Sequence, residues 1–184
     1  MGIESLFGRR AAVRREIGRS RDMLYRMACA WCHDPALADD LAHEAVEKAL
    51  RNAGQLRDAE RCKGWLLRIL ANCVRDHFRA RREHVELASI EDSVAAVGPT
   101  PEEAQAGAQL VLRVRRAVGE LPLHQRQVVT LVDLEDCGYA EVGEILEIPI
   151  GTVMSRLCRA RRSLRERLTP SAAELLGTRL RSVK

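Results

Sequence analysis

The chain has 184 residues and a formal net charge of +4, with 46% hydrophobic but only 3% aromatic residues. It is long enough for one or two small domains, nearly without strand patterns, and has no apolar run near the ~20 residues a membrane span needs. The small net charge hides a segregated distribution: positions 34–60 and 85–105 are acidic, whereas 61–84 and 149–184 are basic. Two separated basic tracts point to two contacts with one polyanion.

Met1 to Arg21 is rich in arginine and lacks the apolar core of a signal peptide. Leu6 stands where a myristoylation motif wants Ser or Thr. A cytoplasmic protein with its six cysteines reduced is therefore expected. Residues 1–20 are weakly patterned and read as a frayed or helical arm. From Arg21 to His33, Leu24, Met27, Ala28 and Trp31 form a helical stripe, which Asp34-Pro35 ends. Ala36 to Asn52 is a second helix, predicted to turn Leu37, Leu41, Ala45, Val46 and Leu50 inward and its acids outward. Ala53-Gly54 stops it, and Gln55 to Lys63 reads as a polar loop. A third helix begins at Gly64 or Trp65 and runs to about Arg82, apolar through Leu66, Ile69, Leu70, Cys73 and Val74. Arg68, Arg75, Arg79, Arg81 and Arg82 decorate its other faces.

Val85 to Gln105 holds five acids, no basic residue, and Gly98-Pro99-Thr100-Pro101. It reads as a flexible acidic linker. Ala106 to Glu120 is the next helix, with Leu110, Val111, Val114 and Val118 as its stripe. Leu121-Pro122 breaks it, Leu123 to Leu134 is another helix, and Glu135 to Gly138 is a turn. Two short helical patterns follow around Ile148-Pro149-Ile150-Gly151. Pro149 lacks an N–H and disfavours helix at Ile148, so the chain turns there. Thr152 is the expected N-cap of the second of these helices, and Thr169-Pro170 its expected end. That helix carries Arg156, Arg159, Arg161, Arg162, Arg165 and Arg167 against one acid, Glu166. A helix, a short turn and a basic second helix make a helix-turn-helix pattern, whose second helix enters the major groove while arginines neutralise phosphates. Taken alone, the stretch also fits a helical hairpin with a solvated basic face.

The motifs in this order resemble the extracytoplasmic-function (ECF, group IV) sigma factors of bacterial RNA polymerase. The resemblance is carried by Asp40-Leu41-Ala42-His43-Glu44-Ala45-Val46-Glu47-Lys48-Ala49-Leu50, by Gly64-Trp65-Leu66-Leu67-Arg68-Ile69-Leu70-Ala71-Asn72 with Asp76-His77-Phe78-Arg79, by Leu121-Pro122 with Arg126, and by Ile148-Pro149-Ile150-Gly151-Thr152-Val153 with Ser155-Arg156-Leu157. It implies an all-α fold of two small domains: 1–84, docking and minus-10 recognition, and 106–168, a helix-turn-helix for the minus-35 element. Residues 85–105 would be the linker and 169–184 a tail. It implies that Asp40, Leu41, Glu44, Glu47 and Lys48 bind the clamp of the polymerase largest subunit, with a further contact on the flap of the second-largest. Asn52, Lys63, Asn72, Arg75 and Arg79 would handle the minus-10 element, the loop from Asn52 to Lys63 trapping a flipped base. Thr152, Ser155, Arg156, Arg159 and Arg162 would address the minus-35 element. Core polymerase, promoter DNA and an anti-sigma factor are the implied partners.

The chain departs from the family pattern at Met154, where Lys or Arg is frequent, and at Cys158, where a larger side chain is common. Glu147 stands in the turn where glycine is usual, and carries strain if its φ is positive. Cys29-Ala30-Trp31-Cys32-His33 admits a zinc or redox reading with Cys73 and His77, against the simpler one of buried reduced cysteines. No nucleophile–base pair or phosphate-cradling loop stands out, so neither an enzyme nor a cofactor is expected. The rival readings are a free-standing helix-turn-helix regulator of duplex DNA and a module whose basic helices bind an acidic protein.

Overall fold

The computed structural model describes residues 12–56, 61–85 and 105–181, with side chains for 12–56, 61–81 and 111–168. The acidic linker centred on 86–104 and part of the polar loop, 57–60, lie outside the described residues. No strand occurs among the described residues. Two compact helical units share the chain: α1 (12–19), α2 (Arg21–Cys32), α3 (Pro35–Asn52) and α4 (Cys62–Val85) form the first. The second holds α5 (Gln105–Gly119), α6 (Leu123–Asp133) and α8 (Ile150–Arg181); α7 (Tyr139–Leu146) precedes α8 in the chain, its residues up to Val142 in the second unit while Gly143–Glu147 are grouped with the first.

In the first unit α3 packs on both α2 and α4, and α2 also meets α4. Leu24, Met27, Trp31, Leu66, Leu67, Leu70 and Val74 are buried in its core. α3 turns a face of Ala38, Leu41, Ala42, Ala45 and Ala49 inward, while Leu50, expected inside, is 40% exposed. Small side chains let the helix axes approach closely, so alanines rather than the larger residues take the buried face. The arginine-rich arm is α1 over residues 12–19, with Val13 and Ile17 buried. That pair, four residues apart, lies on one face of the helix.

Local chemistry sets the helix ends. The Asp34 carboxylate accepts from the backbone N–H groups of Ala36 (2.9 Å) and Leu37 (3.1 Å), with Pro35 at the first helical position of α3. His33 closes α2 in the left-handed region, φ 55°. At the far end of α3, Asn52 Nδ2 donates to the Lys48 carbonyl (2.8 Å) and the Asn52 carbonyl accepts from Gln55 N–H (2.9 Å). α4 begins at Cys62, two residues earlier than expected, because Cys62 is apolar and buried and so extends the inward stripe.

In the second unit α8 packs against α6 and α5. The break at Leu121-Pro122 is held by Arg126, whose guanidinium donates to the carbonyls of Gly119 (2.8 Å) and Leu121 (2.8 Å). These groups at the end of α5 would otherwise lack partners. Along α5 the expected stripe is only partly buried: Val111 is 49% and Val114 37% exposed, whereas Ala117 is buried. On α6, Val128, Val129, Thr130 and Leu131 are buried, the Thr130 hydroxyl donating to the Arg126 carbonyl (2.8 Å). Two predicted boundaries of α8 are corrected. Pro149, not Thr152, holds the N-terminal flank, with its carbonyl accepting from Thr152 and Val153 N–H, so Thr152 lies inside the first turn. The helix also continues past Thr169-Pro170 to Arg181; Pro170 removes one amide donor without ending it.

Candidate nucleic-acid interface

The first unit presents two faces of opposite charge. On α3, Asp40, Glu44 and Glu47 are exposed, and local pairs order them: Glu44 meets Lys48 at 2.7 Å and Glu47 meets Arg51 at 2.8 Å. Two of the residues assigned to polymerase docking do not belong to this open face. Leu41 is 3% exposed and sits in the core, because its side of α3 is the one packed on the neighbouring helices. Lys48 leans across to α4, its ammonium 3.6 Å from Cys73 Sγ. Its pKa is held above the ordinary lysine value, chiefly by the hydrogen bond to Glu44.

On α4, Asn72, Arg75 and Arg79 recur at positions i, i+3 and i+7, so they share one face. Arg75 and Arg79 are exposed, and Arg79 is steadied by Asp76 at 3.1 Å. Asn72 is half-buried, and its Oδ1 finds no hydrogen-bond partner among the described residues. Such an oxygen is costly to leave without a partner, which suits a group that acquires one on binding. His77 and Phe78 stand edge to face, 5.5 Å apart, on the next turn. Lys63 is exposed, but on the first turn of α4 rather than in the loop. Asn52 is exposed too, its side chain engaged in closing α3. Trp65, on the first turn of α4, is half-buried.

The helix-turn-helix follows in the chain as α7 and α8. Leu146 ends α7 and Glu147 follows with φ 57°, the left-handed value that the sequence flagged as strained. α8 buries Val153, Leu157 and Ala160 and turns its other faces out. Arg159 and Arg162 are exposed and make no ion pair among the described residues. Thr152, Ser155 and Arg156 are half-buried, and the Ser155 hydroxyl donates to the Thr152 carbonyl (3.0 Å). Arg161, by contrast, is committed to structure: it clasps Asp133 at 2.5 Å and thereby ties α8 to the end of α6. Arg167 likewise pairs with Glu120. His124, at the start of α6, was not singled out from sequence. Its pKa is lowered, first by burial and then by the charges of Arg156 and Arg159, which places these cations around one spot.

Among the described residues no group of three or more His, Cys, Asp or Glu side chains is placed to hold a metal. The imagined zinc set of Cys29, Cys32, Cys73 and His77 is therefore not assembled; Cys73 is buried toward Lys48 instead. No helix among the described residues is long and apolar enough to cross a membrane.

Both units match known protein families. Residues 17–84 match the family described as "Sigma-70 region 2" and residues 112–164 that described as "Sigma-70, region 4". The RNA polymerase sigma-H factor of Pseudomonas aeruginosa is 31% identical over 77% of this chain and 78% of its own length. The ECF RNA polymerase sigma factor SigM of Mycobacterium tuberculosis is 32% identical over 79% of this chain and 71% of its own. Among solved structures, the sigma factor RpoE of Bartonella quintana, crystallised with the anti-sigma factor NepR, superposes with a TM-score of 0.70 at 26% identity, covering 84% of this chain and 95% of that one. The chain belongs to the ECF sigma factors, the alternative sigma factors that direct RNA polymerase to promoters.

Proposed function

We propose that the protein docks on core polymerase through the acidic face of α3, melts the minus-10 element with α4 and the loop before it, and reads the minus-35 element with α8. The division of labour is residues 1–84 for docking and melting, 106–168 for the upstream address, with 85–105 as tether and 169–184 as a tail. The observation that carries this reading is the pairing, in one unit, of an exposed acidic helix with a basic helix that holds Asn72, Arg75 and Arg79 on one face. A free-standing repressor has no reason to carry that pair beside its helix-turn-helix.

The energetics suit such a split. Extruding a base from the stack costs a few kcal/mol, which a pocket that hydrogen-bonds and stacks on it offsets. A good bidentate contact to a base edge contributes about 1–3 kcal/mol of discrimination. Neither unit alone supplies tight promoter binding, and tethering both to the polymerase raises their effective concentration at the promoter. In this role the protein has no catalytic step of its own; the polymerase performs the chemistry. It works in the cytoplasm, and an anti-sigma factor that covers the same faces is the expected regulator, by analogy with the NepR-bound relative.

Separation of the two DNA contacts tests the assignment. In reconstituted holoenzyme, Arg75→Ala/Arg79→Ala should abolish permanganate reactivity of the minus-10 thymines while the minus-35 footprint persists. Arg159→Ala/Arg162→Ala should weaken the minus-35 footprint first. Loss of both signals in both variants, with the folds intact, would contradict the division.

A further inference from the structure

The outward side of α8 is not only basic. Ile150, Met154 and Cys158 follow one another a turn apart, and Ile150 and Met154 are 50% and 54% exposed, with Cys158 exposed beyond them. Tyr139, at the start of α7, is 41% exposed, and together with Met154, Leu157 and Cys158 it lines a shallow depression that Arg161 and Arg162 rim. Half the surface of a long apolar side chain is thus left to water on the helix that is otherwise the most basic of its unit. Burying Met154 against a polar base edge would strip that edge of water and return no hydrogen bond. In the major groove one base edge alone is apolar, that of thymine, through its C5-methyl group.

Building on the proposed minus-35 role of α8, we propose that the stripe Ile150–Met154–Cys158 reads thymine methyl groups in that element. Met154 and Cys158 are its specificity-determining residues. The occupant is argued from charge as well as shape: Arg162, at the rim of the depression, is exposed and makes no ion pair among the described residues, as a polyanionic duplex requires. The Met154 thioether is long and unbranched, so it can follow a methyl group displaced by small differences in helix docking. An arginine at the same place would instead favour guanine, whose O6 and N7 accept a bidentate pair.

The test uses holoenzyme assembled from core polymerase and the full chain, on a promoter found by mapping its transcripts. Each thymine of the minus-35 element, on either strand, is replaced in turn by deoxyuridine, which removes the methyl group and nothing else. At one or two positions the wild-type holoenzyme should bind about fourfold more weakly, the effect of one buried methyl group. Met154→Ala or Cys158→Ala should erase the difference between thymine and deoxyuridine at its position, and Met154→Arg should move the preference toward guanine. A flat deoxyuridine scan, a penalty that survives both alanine variants, or a minus-35 element without thymine would overturn the inference while leaving the sigma reading intact. Failure of the holoenzyme to initiate on any template would overturn both.

Discussion

Glu147 shows how a single residue can be at odds with its backbone. It holds φ 57° in the turn between α7 and α8, a region that costs a side chain with a Cβ about 1 kcal/mol or more and glycine almost nothing. The Glu147 carboxylate also pairs with Arg68 (2.9 Å) and Arg75 (3.3 Å), exposed contacts that salt screens, so at high salt Glu147→Gly should raise the free energy of unfolding by about 1 kcal/mol, readable in a urea titration. Arg126 is the opposite case, a residue on which its surroundings depend. Its guanidinium holds the Gly119 and Leu121 carbonyls at 2.8 Å, so Arg126→Ala should destabilise the second unit by about 1.5–3 kcal/mol in the same titration. The resemblance to the sigma family marked both positions but explained only one. The glycine usual in that turn made the strain at Glu147 foreseeable. Nothing in the neighbourhood of Arg126 says that its side chain folds back onto carbonyls five and seven positions earlier, because that depends on how α5 and α6 meet.

At the scale of elements, the period of apolar residues located the helices, and their size decided which face was buried. α3 was expected to bury Leu50 and instead buries Ala49, because close packing of α3 on its neighbours favours the narrow alanine face. The same crowding traps two thiols on α4. Burial pushes the Cys62 and Cys73 thiols above the ordinary value of 9.0, aided by the charges of Glu16 and Glu44 respectively, with Lys48 pulling Cys73 back. A pKa raised by folding means that the native state retains protons the unfolded chain releases. The associated stability is complete below pH 9 and is lost as pH rises through the folded values. The urea midpoint should accordingly fall more steeply as pH rises above about 9 in the wild type than in Cys62→Ala/Cys73→Ala. α8 is governed by charge instead. Arg159→Ala or Arg162→Ala should each reduce the slope of log binding constant against log salt by about 1. Measurement across a salt series on promoter DNA checks this.

For the molecule as a whole, the order of parts was readable early: an acidic helix, a basic helix, an acidic tether and a helix-turn-helix follow one another in the chain. Their local surroundings were not, and those sort the candidate residues. Leu41 and Lys48 are engaged inside the first unit, Arg161 and Arg167 inside the second; Asp40, Arg159 and Arg162 are exposed without an ion pair among the described residues, whereas Glu44, Glu47, Arg75 and Arg79 are exposed but paired, with Lys48, Arg51, Glu147 and Asp76.

Run-off transcription in vitro puts the central claim at stake most directly. Core RNA polymerase is mixed with the purified protein on a genomic promoter library. Initiation should appear at a small set of starts that share a two-part upstream motif, and should disappear when Asp40, Glu44 and Glu47 are all reversed to lysine. If core polymerase with the wild-type protein starts no more transcripts than core polymerase alone, the account is wrong.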